Sequence, residues 1–249
     1  MNKRRGDTTR IPGDYQYRAL TRGNPVQRFW HYSKQLAIQR YLPPESSDHV
    51  LDVGCGSGVI SHFLSESGAA VLGIDGNEDA IAFARQRFSA PNLSFRSGLI
   101  EEVVRLEQPP FDKVYCLELI EHVYINQTRD LFRGVWSLLA PGGKVLITTP
   151  NYHSLWPLIE WLMDTMKLAP QMSEHQHVEF FNAGKLGEVG LQSGFGIERS
   201  SSICFIAPWL APLSWRLAER VDKLESRLPF HMGSILIAVF GKKGDADPD

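Results

Sequence analysis

At 249 residues the chain suits one large α/β domain, or a core domain with insertions. Hydrophobic content of 43%, charged content of 22% and a formal net charge of -2 are ordinary globular values, with no global electrostatic footprint for nucleic acid. No segment approaches the roughly 18 to 20 unbroken apolar residues of a membrane span, and the basic start Met1–Arg10 has no apolar run behind it, which argues against a secretory signal.

Residues 1–23 read as a mobile lead, polar and charged over 1–13, ahead of a single domain spanning 24–244 and a polar tail at 245–249. Asn24-Pro25 marks a helix start, with Asn as N-cap and Pro at the first helical position. That helix runs to Tyr41 and stops before Pro43-Pro44, with an apolar stripe of Val26, Phe29, Trp30, Leu36, Ala37 and Ile38. The strand-forming run His49–Val53 then breaks into Gly54, Gly56 and Gly58, and a helix follows from Val59 to Ser67. Glycines there let backbone pass close to a ligand where a Cβ would collide. Ala69–Asp75 is a second buried strand ending in an acid. Asp75 lies about 20 residues after the glycine turn, where a carboxylate accepts ribose hydroxyls.

Helix Asn77–Phe88, capped by Asn77, and a third strand over Asn92–Arg96 follow. The fourth strand, Phe111–Leu117, runs directly into Glu118-Leu119-Ile120-Glu121-His122-Val123. Leu139–Lys144 is a turn leading into strand Val145–Thr149. Aromatic-rich insertions at about 152–178 and 203–230 flank a helix near Asn182–Ser193 and a strand near Ile197, and strand Ser234–Phe240 closes the chain. Cys55, Cys116 and Cys204 lack metal-type spacing and read as reduced core residues of a cytoplasmic protein.

The glycine spacing separates two ligands. A dinucleotide fold wants G-x-G-x-x-G, which would put its last glycine at Val59; here the pattern is G-x-G-x-G preceded by Asp52. That stretch resembles motif I of the class I S-adenosylmethionine methyltransferases, and the L-x-P-G-G turn at Leu139–Gly143 resembles the same class. The resemblance is good over about residues 24–151. It implies a Rossmann-like seven-stranded, mostly parallel sheet with helices on both faces, the insertions serving as a substrate lid. It further implies that Asp52, Gly54, Gly56, Gly58 and Asp75 hold the cofactor, that Leu99 and Leu117 line the adenosine pocket, and that Lys34 or Arg28 meets the cofactor carboxylate.

Glu118, Glu121 and His122 spell E-x-x-E-H. On a helix, positions i, i+3 and i+4 share a face, and two carboxylates with an imidazole suit a divalent metal such as Mg²⁺ or Mn²⁺. A metal-free alternative leaves His122 as the general base, since an ordinary His titrates near pH 6.5; a third leaves it merely packed. The segment around Cys116–Val123 resembles the ubiquinone-biosynthesis O-methyltransferases, and also the metal-dependent small-RNA 2′-O-methyltransferases. Those resemblances place His175 or His177 as a distant completing ligand.

The expected function is therefore methyl transfer from S-adenosylmethionine to a hydroxyl on a small or amphipathic acceptor, phenolic or quinone-like first. RNA ribose methylation, a silent S-adenosylmethionine-binding protein and a nicotinamide-linked dehydrogenase are the rivals. Net charge and the lack of a basic, aromatic-interleaved tract oppose nucleic acid as a partner. The aromatic insertions leave peripheral membrane contact open, although no clean basic amphipathic helix stands out.

Overall fold

The computed structural model describes residues 12–106, 109–154, 157, 178–228 and 231–243. Seven strands make one sheet: β1 His49–Val53, β2 Ala70–Asp75, β3 Leu93–Ser97, β4 Phe111–Leu117, β5 Leu139–Pro150, β6 Phe195–Ile203 and β7 Ile235–Lys242. Their order is β3-β2-β1-β4-β5-β7-β6. Only β7 runs against its neighbours; β1–β2, β2–β3, β1–β4 and β4–β5 are all parallel. The seven-stranded, mostly parallel sheet expected from the resemblance is thus present. The order reverses between β1 and β4, and ligands in open α/β sheets bind at such a switch point, beyond the carboxyl ends of the strands.

Strand residues alternate between two helix-covered faces, as a sheet buried on both sides requires. Leu51, Val114, Cys116, Val145 and Ile147 face helices α5 (Ile100–Val104), α6 (Ile125–Leu138) and α7 (Ala183–Gln192). Val50, Tyr115, Leu117 and Leu146 face α2 (Pro25–Tyr41) and α3 (Val59–Ser65). Helix α4 (Glu78–Arg87) links β2 to β3. The caps are as the sequence suggests: Asn24 accepts from Gln27 N at 2.9 Å, and Asn77 accepts from Asp79 N and Ala80 N. Such caps are each worth about 1 kcal/mol. The three cysteines are free and buried.

Three sequence expectations change. Residues 15–22, placed in the mobile lead, form helix α1 (Tyr15–Arg22) packed beside α2. The 139–144 turn is absorbed into β5, whose pairing with β4 shifts register between Phe111 and Lys113. The insertion between β6 and β7 carries α8 (Ala207–Leu210) and α9 (Trp215–Glu225), docked on the back of α2. Phe29 and Trp215 meet there edge to face, 5.1 Å between centroids. Residues 1–11, the tail at 245–249 and all but the edges of the 152–178 insertion lie outside the described residues. Among the described residues, no helix is long and apolar enough to cross a membrane.

Candidate active site at the β1–β4 switch point

Leaving β1, the chain makes a glycine turn that only glycine accommodates easily. Gly54, Gly56 and Gly58 have φ of 75°, 50° and 79°, all in the left-handed region. A Cβ on Gly54 would also press to 3.0 Å from the Leu119 side chain. Gly54 N and Cys55 N donate to Ile74 O at 2.8 and 3.0 Å, clamping the turn against the end of β2. Asp75 completes the clamp: its carboxylate accepts from Gly56 N at 2.8 Å and from Asn77 N at 2.7 Å. Leu99 stands at the same rim, partly exposed and within 3.1 Å of where a Cβ on Gly76 would lie.

Beside this turn lies a small cleft open to solvent. Asp52, Gly54, Cys55 and Leu117 line it from the strand ends, Val59 and Ile60 from α3, His31 and Lys34 from α2, and Gln16 and Leu20 from α1. Asp52 is buried and accepts from Ser61 Oγ at 2.6 Å. Burial raises its pKa to about 7, even though that hydrogen bond pulls the other way. Lys34 is buried too, its Nζ 3.8 Å from the Trp30 ring centroid and 3.9 Å from Glu118 Oε2. Burial lowers its pKa, while Glu118 and Glu121 oppose the shift. His31 is held well below its ordinary pKa, first by burial and then by Lys34, so it is neutral at pH 7. Of the two cations the sequence offers, Lys34 is the one at the cleft. Arg28 turns away, its Nε donating to Leu20 O at 3.1 Å and its guanidinium over Trp215.

The acidic stretch after β4 departs from expectation. Glu118 takes φ of 54°, a left-handed conformation for a non-glycine residue, so no α-helix runs from it through His122. A single 3₁₀ turn follows at Ile120–His122. Glu118 accepts from Thr148 Oγ1 at 2.8 Å and faces Lys34. Glu121 is 1% exposed and turns inward, accepting from Thr149 Oγ1 at 3.1 Å. Burial, then the neighbouring Glu118, pushes its carboxyl well above the usual range. His122 stays partly open to solvent, its Nε2 3.9 Å from Glu121 Oε1.

The shared helical face needed for a metal set therefore does not form. Among the described residues, Glu118, Glu121 and His122 do not gather as a group able to hold a metal ion. His175 and His177, the expected completing ligands, lie outside the described residues. What the structure does gather is a buried acid beside a partly exposed imidazole, one turn beyond Leu117 and the cleft.

Four contributors escaped the sequence reading. Thr148 and Thr149 end β5 beside the site, a place the strand-end rule marks. Gln16 and His31 come from α1 and α2. Gln16 Oε1 accepts from Ser57 N at 3.2 Å, and Tyr17 N donates to Ser57 Oγ at 3.0 Å. Those long-range bonds hold α1 over the glycine turn, and only the short helical period of Tyr15–Arg22 hints at it.

Comparison with known proteins agrees with this geometry. A family model described as a methyltransferase domain matches residues 26–200. The chain is 28% identical over 216 residues to a ubiquinone biosynthesis O-methyltransferase of Aeromonas salmonicida, covering 83% of each. A protein of the same name from Pseudomonas fluorescens is 33% identical over 156 residues, 60% of this chain and 65% of that one. Among solved structures, an S-adenosylmethionine dependent methyltransferase from Mesorhizobium loti superposes with a TM-score of 0.60 at 23% identity, covering 83% of this chain and 96% of that one. Magnesium protoporphyrin IX methyltransferase from Synechocystis does so at 0.59 and 17%, covering 93% and 94%. These structural likenesses show the fold.

Proposed function

The chain belongs to the methyltransferase-domain family and is an S-adenosylmethionine-dependent methyltransferase; from that premise we propose that it methylates a hydroxyl on a small or amphipathic acceptor, phenolic or quinone-like in character. The observation that carries the reading is the Glu121–His122 pair, set just beyond the Leu117 wall of the cofactor cleft. The names of the curated relatives point to the same acceptor class.

The cleft suits the cofactor on its own chemistry. Gly54, Gly56 and Gly58 free the backbone to approach it, and Asp52, when ionised, complements a cationic ligand. Lys34 is placed for its carboxylate, Asp75 and Leu99 flank the rim for ribose and adenine, and Leu117 walls the nucleoside. S-adenosylmethionine supplies an electrophilic methyl on a sulfonium and leaves as a neutral thioether.

The protein has the remaining work: to hold an acceptor oxygen in line and take its proton. His122 Nε2 accepts the hydroxyl proton as the oxygen becomes nucleophilic. Glu121, kept in place by Thr149, stands beside the ring with Oε1 3.9 Å from Nε2 and positions it. Incubation with methyl-labelled S-adenosylmethionine and an alkyl-substituted catechol tests this. A label found on oxygen by NMR supports it; transfer only to nitrogen or carbon acceptors refutes it.

A further inference from the structure

We propose that α9 and the loop before it form a docking surface for a phospholipid bilayer carrying anionic headgroups. The charges of this segment look balanced in the sequence, with Glu219, Asp222 and Glu225 interleaved among Arg216, Arg220, Lys223 and Arg227. The fold separates them. Asp222 is buried against Arg40, Nη2 to Oδ2 2.8 Å. Glu225 accepts from the backbone N–H groups of Phe205, Ile206 and Ala207, and Glu219 from the Tyr32 hydroxyl. Asp222 is thus buried, and the half-buried Glu219 and Glu225 turn to partners in the protein, while all four bases are exposed.

Positions 216, 220 and 223 recur at three- and four-residue spacing and so form one row along the helix, with Arg227 in the turn just past its end. Leu217 and Leu224 run one position on, with Val221 between them packed toward α2; both leucines, and Leu228 past the helix end, are exposed. Leu213, just ahead of the helix, is 80% exposed, and α8 and the residue before it add exposed Trp209 and Ile206. A row of bases beside a row of large apolar side chains fits a membrane interface, where bases reach phosphates and leucines enter the acyl boundary. Nucleic acid offers nothing to the leucines. A second copy of the chain would bring like-charged rows together.

The location is useful. This insertion packs on α2 through Phe29 and Trp215, and α2 presents Lys34 and His31 to the cofactor cleft. The face is independent of the acceptor's identity, because it rests on its own exposed residues.

The test is sedimentation of the full chain with phosphatidylcholine vesicles, with and without phosphatidylglycerol. At about 1 kcal/mol per exposed base near an anionic surface, binding should be more than tenfold stronger to the anionic vesicles and should weaken as salt rises. Arg216→Glu/Arg220→Glu and Leu217→Ser/Leu224→Ser should each cut it by about tenfold, with S-adenosylhomocysteine affinity unchanged as proof of folding. Failure to sediment with either vesicle overturns the proposal, as does binding that both variants retain. A dimer that the leucine variant dissociates, or salt-dependent RNA binding without vesicle binding, would hand the face to another partner and overturn it equally.

Discussion

Lys34, which lines the cleft, meets Glu118 with Nζ 3.9 Å from Oε2, and 8% and 12% of their side chains are exposed. The pair joins α2 to the end of β4, so the lysine proposed to meet the cofactor carboxylate also pairs with the first acid after that strand. Burial works against the ammonium, and Glu118 and Glu121 sustain it. Lys34→Met should therefore weaken both S-adenosylmethionine and S-adenosylhomocysteine by about tenfold, roughly 1.4 kcal/mol. Calorimetric titration reads this directly; affinities within a factor of about two of wild type would remove Lys34 from the cofactor site.

If Asp52 holds the cofactor as proposed, binding should depend on pH. Burial puts its folded pKa at about 7, against about 3.9 in an unfolded chain. Between those values the folded protein holds a proton that the unfolded chain has lost. Asp52's contribution to stability therefore falls as pH rises from about 4 to about 7, then levels off. Affinity for the cationic cofactor should run the other way, gaining about tenfold between pH 6 and pH 8 as the carboxylate forms. Asp52→Asn should flatten both curves, in thermal denaturation and in titration. A wild-type affinity that is level across this range would contradict the assignment.

Glu121→Gln tests the inner acid without emptying its site, because the amide oxygen can still accept from Thr149. It should lower kcat by about tenfold to a hundredfold, a fraction of a full acid–base contribution, and leave S-adenosylhomocysteine affinity intact. Burial and Glu118 push the Glu121 carboxyl well above the usual range, so any step that its ionisation makes in the rate profile should vanish in Glu121→Gln. A drop in kcat with an unmoved profile would make Glu121 a packing residue only.

Gly58→Ala should damage the fold rather than the chemistry. At φ of 79° a Cβ is strained, and it would meet the Ala84 methyl and the Phe95 ring at 2.8 Å. Strain and overpacking together should cost roughly 2–4 kcal/mol. Chemical denaturation measures it, and a loss well under 1 kcal/mol would mean that the turn relaxes freely.

Much of this architecture is written locally. Apolar strand-forming runs, the Asn24 and Asn77 caps and the alternate glycines each depend on neighbours in sequence, so β1 to β4, the body of β5 and the glycine turn could be placed from residues alone. Helix α1 depends instead on Ser57, far along the chain, and had no comparable local mark. The E-x-x-E-H reading assumed helical spacing from Glu118 onward, and the left-handed turn at that residue broke the assumption. Arg28 and Lys34 were equivalent until α2's neighbours on each face were known. The basic row on α9 was hidden for a similar reason: its acids cancel it in sequence, and only packing takes them out of the surface.

The most direct test of hydroxyl methylation through His122 is a paired measurement on His122→Ala: single-turnover methyl transfer to an amphipathic catechol, and S-adenosylhomocysteine affinity on the same preparation. The expected result is unchanged affinity with transfer slowed by about 10²–10⁴-fold, the span of a positioned general base. Transfer at the wild-type rate with affinity intact would contradict it, and the acceptor's proton would then have to leave by another group.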